Sequence, residues 1–177
     1  NTDPYQPLEK KLRITRSILE VLSECRHPVA IVTKSALIQR DIDLLAPMAA
    51  EGLAAATVSL TTLDPGLSRV MEPRAASPNR RLETIRALTA AGIPTGVLVA
   101  PMIPALNDRE LENLLEAAVA AGAKTAGYVL LRLPLEIKEL FEEWLEAHFP
   151  GRAKHILNLV RSMRDGKLYQ SEFGVRQ

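Results

Sequence analysis

The sequence runs to 177 residues, enough for one domain with its own apolar core. Hydrophobic residues make up 47% and charged residues 24%, with a net charge of +1, so bulk charge argues for neither nucleic acid nor a membrane surface. No apolar run reaches the ~18 residues of a membrane span, no signal peptide is visible, and a single cysteine, Cys25, excludes an intramolecular disulfide and fits a reducing, cytoplasmic setting.

The chain opens at Asn1-Thr2-Asp3-Pro4, without an initiator methionine and with residues typical of a loop. It reads as starting inside a connection, and the expectation is that upstream residues are missing. Leu8, Leu12, Ile14, Ile18, Leu19 and Leu22 then follow a helical period up to His27-Pro28. Val29 to Thr33 is a β-branched run of buried-strand type. A helix is expected over Ala36 to Glu51, ending at Gly52. A second strand is expected over Ala54 to Leu60. Thr61 to Pro78 is a long loop with a short helix near Pro65 to Val70.

Ser77-Pro78 opens the next helix, which stops at Ala91-Gly92. Ile93 to Ala100 is the third strand. Asn107-Asp108 is expected to cap a helix running to Ala121, stopped by Gly122. Ala126 to Leu131 is the fourth strand. Helices over Leu135 to His148 and Ala153 to Met163 follow, and 167–177 is an irregular tail. The alternation of strand and helix means a parallel sheet with right-handed crossovers, with strands apolar on both faces. Four strands suit a partial β/α barrel or a doubly wound sheet. The barrel is assigned to 1–166.

In such folds ligands sit beyond the carboxyl ends of the strands. The residues there are Lys34 and Ser35, then Ser59 and Thr61, then Pro101 and Met102, then Arg132. A lysine ending a buried strand needs an anionic partner, either a ligand carboxylate or phosphate, or a structural salt bridge at the barrel rim. Ser59 serves either a ligand hydroxyl or the core. Arg132 binds an anion or pairs with Glu136. Cys25 reads as filling, not as a reactive thiolate. His27, His148 and His155 do not recur at metal-ligand spacing, and no glycine-rich phosphate loop is present.

Several segments are distinctive in combination: Asn1-Thr2-Asp3-Pro4, Val32-Thr33-Lys34-Ser35, Val58-Ser59-Leu60-Thr61 and Met71-Glu72-Pro73-Arg74-Ala75-Ala76-Ser77-Pro78. Arg80-Arg81-Leu82-Glu83, Ala91-Gly92-Ile93-Pro94 and Val99-Ala100-Pro101-Met102-Ile103-Pro104 follow in order. Together they resemble the radical S-adenosylmethionine (SAM) enzymes related to spore photoproduct lyase. The nearer likeness is to the bacterial branch described as DNA repair photolyase-like.

The resemblance implies a six-stranded partial barrel, of which this chain supplies about four β/α units. It implies SAM and a [4Fe-4S] cluster as cofactors, and an electron donor such as flavodoxin or ferredoxin. The family's cluster loop, Cys-x3-Cys-x2-Cys after the first strand, is absent from these 177 residues, and Cys25 does not replace it. The expectation is a C-terminal fragment, inactive by itself. By resemblance Lys34 contacts the cofactor carboxylate and Ser59 its ribose. Thr2 and Asp3 lie near the cofactor, Ala100, Pro101 and Met102 line its adenine, and Leu131 to Leu133, Arg132 among them, close the pocket. Ser35, Thr61 and Arg74 are the substrate-side candidates. A nucleic-acid substrate follows by family analogy, with Arg69, Arg74, Arg80 and Arg81 as a basic stretch that either meets phosphate or is a solvated helix start. Two other functions fit the bare fold: an aldolase-like barrel with a Schiff base on Lys34, and a non-catalytic binding module.

Overall fold

The computed structural model describes residues 3–135 and 137–163. Thr2, Glu136 and the 167–177 tail lie outside them. Four strands form one parallel sheet in the order β1-β2-β3-β4: β1 (Val29–Thr33), β2 (Ala54–Ser59), β3 (Thr95–Met102) and β4 (Thr125–Leu130). Sequential order with a helix in every connection is the expected β/α arrangement, and it fits a partial barrel. Register is set between Val29 and Ala54 at one end of the β1–β2 pair and between Ser59 and Leu98 at the other end of β2.

The residues sort into two compact units, one holding 3–100 and 110–128, the other 101–109 and 129–163. In the first, Ala54, Ala56 and Val58 of β2 and Val97 and Val99 of β3 are buried. Leu45 and Met48 of α3 (Ile42–Ala50) are buried as well, as are Leu82, Ile85 and Leu88 of α5 (Pro78–Ala90). The helix starts use the expected chemistry. Ser77 accepts from Arg80 N with Pro78 in the first turn of α5, and Asp64 accepts from Gly66 N to start α4 (Pro65–Met71). The stops at Gly92 and Gly122 have φ of 78° and 102°, a backbone region closed to most side chains.

Three expectations on this unit need correction. The helix expected over Leu8 to Leu22 is two, α1 (Glu9–Leu12) and α2 (Ile14–Glu24), with Arg13 between them at φ 54°. The buried Glu9 carboxylate accepts from Thr15 N at 3.0 Å, and the Glu9 carbonyl accepts from Arg40 at 2.7 Å. These bonds anchor α1 and restart the helix. Secondly, the expected helix at Ala36 opens as a 3-10 turn, Ala36–Asp41, before α3. Its tighter winding accompanies a fully buried Asp41. Thirdly, the outer strands are not apolar and covered on both faces. Ala30 and Val32 of β1 and 125–129 of β4 are exposed, as edge strands allow. Ile14, Ile18 and Val21 of α2 are exposed too.

The second unit pairs α7 (Ile137–His148) with α8 (Ala153–Ser162) over Leu145, Ile156 and Val160. Trp144 stacks on Phe141 and tilts against His148 and Phe149. Asn107 turns back, accepting from Ile103 N at 2.7 Å and donating to Pro101 O at 3.0 Å. The helix beyond, α6 (Leu111–Ala120) in the first unit, follows a 3-10 turn at Asp108–Glu110 without a side-chain cap.

Candidate functional site

The carboxyl ends of β1 and β2 meet in a connected polar network. Lys34 follows β1, and its ammonium donates to Glu72 Oε1 in an ion pair. Glu72 ends α4. Its other oxygen, Oε2, accepts from Arg81 at 2.6 Å and from Thr61 Oγ1 at 3.2 Å. Arg81 is 1% exposed. Its remaining donors reach the Ser59 carbonyl at 3.0 Å and the Ala76 carbonyl at 2.8 Å. A buried guanidinium thus has a carboxylate and two carbonyls, the satisfaction that burial of a charge requires. Burial pushes the Glu72 carboxyl up, but Arg81 and Lys34 outweigh it and hold the group below the usual carboxylate range.

Asp3 fixes the other side of Lys34. Its Oδ1 accepts from Thr33 Oγ1 at 2.7 Å and Tyr5 N at 2.9 Å, and its Oδ2 accepts from Lys34 N at 2.7 Å. The segment before α1 is therefore tied to the end of β1. Deeper in, Tyr5 donates its hydroxyl to Asp41 Oδ2 at 3.0 Å. Arg40 donates to both Asp41 oxygens, and Arg16 to Oδ1 at 3.1 Å. At the end of β2, Thr62 Oγ1 and Leu63 N both donate to Glu110, at 2.6 and 2.8 Å.

Of the residues singled out from sequence, Asp3, Lys34, Ser59, Thr61 and Ala100 fall together at this end of the first unit. The Ala100 carbonyl lies 3.2 Å from Thr61 Oγ1 as well, so Glu72 and this carbonyl share one hydroxyl proton. Ser59 is buried, yet its hydroxyl forms no hydrogen bond among the described residues and is not sealed from solvent. Ser35 caps the 3-10 turn by accepting from Leu37 N, and Arg74 is exposed. Pro101, Met102, Leu131 and Arg132 belong to the second unit, where Leu131 N donates to the Met102 carbonyl at 2.9 Å and Arg132 is exposed.

The basic stretch is corrected. Arg81 is buried in the network, and Arg80 pairs with Glu83 at 2.8 Å. Glu72, the hub, was not a candidate from sequence, although its segment stood out. An acidic residue in a Pro-flanked turn after a strand was the available signal. The group a [4Fe-4S] cluster needs is three thiolates, and the sequence has one cysteine, exposed at the end of α2. Among the described residues no cluster of metal-ligating side chains occurs. The donors present therefore do not fit that cluster. SAM fits better: a strand-end ammonium and an available serine hydroxyl are donors suited to a carboxylate and a ribose.

A family model described as "Radical SAM superfamily" matches residues 2–118. The uncharacterized protein Rv2578c of Mycobacterium tuberculosis is 35% identical over 163 residues, 91% of this chain and 48% of that protein. The uncharacterized protein MJ0683 of Methanocaldococcus jannaschii is 28% identical over 159 residues, 89% of this chain and 57% of that protein. The uncharacterized protein ORF301 of Acidianus two-tailed virus is 35% identical over 108 residues, 61% of this chain and 35% of that protein. The chain spans about half the length of the first of these curated relatives.

Proposed function

Because the chain belongs to the radical SAM superfamily, we propose that it forms the SAM-binding part of a radical SAM enzyme. The observation that carries this is that Lys34 follows β1 while an available Ser59 hydroxyl ends the neighbouring strand β2. Lys34 would hold the cofactor's carboxylate and Ser59 its ribose. By the family resemblance Asp3 and Ala100 join them, and Thr2, Pro101, Met102, Leu131 and Arg132 are kept as cofactor candidates on that resemblance alone. When bound with its cluster, SAM supplies a 5′-deoxyadenosyl radical.

This chain's own part is binding and orientation. Asp3 and Glu72 fix the backbone and the ammonium of Lys34, so the lysine meets a ligand with little rotamer entropy left to lose. The cluster needs thiolates these 177 residues lack, so the chain alone is proposed to be inactive in radical formation. An electron donor of the flavodoxin or ferredoxin kind and a reducing cytoplasm belong to the same reading. No described helix is long and apolar enough to cross a membrane.

Calorimetric titration of the chain with SAM tests the reading. Saturable binding is expected, weakened roughly tenfold by Lys34→Ala, the loss of one charge-assisted bond, and less by Ser59→Ala. Binding indifferent to both substitutions would remove the reading. The finer assignment, a spore photoproduct lyase-related enzyme acting on nucleic acid or its photoproducts, rests on the motif resemblance. Retention of an ultraviolet-irradiated oligonucleotide over its untreated twin tests it, with Ser35, Thr61 and Arg74 as the substrate-side positions. A Schiff-base role for Lys34 has less support, since Glu72 engages the amine that such chemistry needs free.

A further inference from the structure

A cavity of about 370 Å³ opens beside the end of β1, lined among others by Asp3, Gln6, Lys10, Lys34, Ser35 and Arg74. Its charges are unequal. Three cations line it against one carboxylate. Asp3 is fully engaged, with one oxygen on Thr33 Oγ1 and Tyr5 N and the other on Lys34 N. Lys34 is compensated by Glu72. Lys10 and Arg74 have no side-chain hydrogen bond or ion pair among the described residues. Two uncompensated cations therefore border one concave space, and one of them presents a guanidinium fork suited to paired oxygens.

We propose that this cavity is a subsite for the dianionic phosphate of a phosphate monoester. Lys10 and Arg74 outnumber the one lining carboxylate, so the wall favours an anion, and a dianion draws on both cations more strongly than a carboxylate or a phosphodiester does. Asp3 and Lys34 also belong to the proposed cofactor pocket and Arg74 to its substrate side, so the inference rests on that reading; Lys10 and Arg74 are the cations the cofactor itself does not use. The donors of Gln6 and Ser35 add neutral hydrogen-bonding capacity at the same wall.

The test uses the chain and inorganic phosphate, followed by calorimetry or phosphorus line broadening. Saturable binding is expected. Lys10→Ala and Arg74→Ala, both at exposed positions, should each weaken it by roughly tenfold, the worth of one charge-assisted bond. Lys124→Ala, an exposed lysine outside the cavity, should leave it unchanged. Affinity should rise with pH as phosphate passes from monoanion to dianion, while sulfate, a dianion throughout, should bind evenly. Equal loss in all three variants, or no saturable binding, would overturn the subsite. Dimethyl phosphate binding as tightly as phosphate would overturn the monoester class. Competitive displacement by SAM would overturn the separation of the two sites, and undiminished phosphate binding in its presence supports it.

Discussion

The Arg81 guanidinium donates to Glu72 Oε2 at 2.6 Å from a position 1% exposed to solvent. The same carboxylate receives Lys34 on its other oxygen. One acidic side chain thus stands between a buried structural cation and the cation nearest the proposed ligand. Stability and ligand binding are coupled through it, because Glu72 serves both.

Glu72→Gln leaves the Arg81 charge buried without its partner. The expected cost is about 3 to 5 kcal/mol, the range seen when one half of a buried pair is removed, and a large share of a domain's ~5 to 15 kcal/mol. Urea unfolding of the two proteins measures it. A midpoint unchanged within error would contradict the structural role assigned to this pair.

Acid should unfold the protein through two carboxylates. Burial raises both Glu72 and Asp41, but their cationic and hydrogen-bonding partners dominate and hold both below the ordinary range. A depressed folded-state pKa contributes stability that is present above the unfolded value of about 4 and is lost as pH falls through the folded one. Melting temperature should therefore drop steeply below about pH 4, the unfolded carboxylate range. The slope should be shallower in Asp41→Asn; an identical slope would show that Asp41 is not among the linked groups.

Alkali should act through Tyr5. Burial, and then the neighbouring Asp41, push its hydroxyl well above the usual tyrosine range. A raised folded-state pKa contributes stability that is present below the unfolded value of about 10 and is lost as pH rises beyond it. Tyr5→Phe gives up the bond to Asp41, at a cost of about 1 kcal/mol, and should flatten the stability curve above that pH. Melting curves of both proteins across the alkaline range would decide, and a curve as steep in the variant would exclude Tyr5.

Gly96→Ala should loosen the pairing of β3 with β4. A Cβ there meets the Thr125 hydroxyl inside contact distance and the Thr125 carbonyl at 3.2 Å. Overpacking of this kind costs about 1 to 3 kcal/mol. Amide exchange should quicken along β4 before it does along β1 and β2. Uniform protection across the sheet would contradict the prediction.

The exposed apolar residues of α2 should promote self-association. Ile18→Lys is expected to lower light scattering at high concentration while moving stability by less than about 0.5 kcal/mol, as surface changes do. Ile18 is 54% exposed, so a large loss of stability would mean that it packs in a way the structure does not have.

The elements were legible where local chemistry decides them. Ser77-Pro78 and Asp64-Pro65 start helices, and Ala-Gly stops end them, through bonds within four residues. The strands were legible from short apolar runs, the first of them β-branched, within two residues at their ends. The bonds of Asn107 back to Pro101 and Ile103 were not legible, because a cap and a backward turn draw on the same side-chain groups. Arg81 was misread because a run of arginines carries no mark of which one is turned inward.

The order of β/α units, the positions of Lys34 and Ser59 at strand ends, and the absence of three thiolates are properties of the sequence alone. They depend on period, on turn residues and on a count of cysteines. Only the tertiary structure decided that Glu72 joins Lys34 to Arg81 across 38 and 9 residues, that Asp3 ties down the end of β1, and that Lys10 and Arg74 border one cavity. These are long-range electrostatic matches. Their partners are chosen by packing after the strands pair, and no local pattern in the chain records that choice.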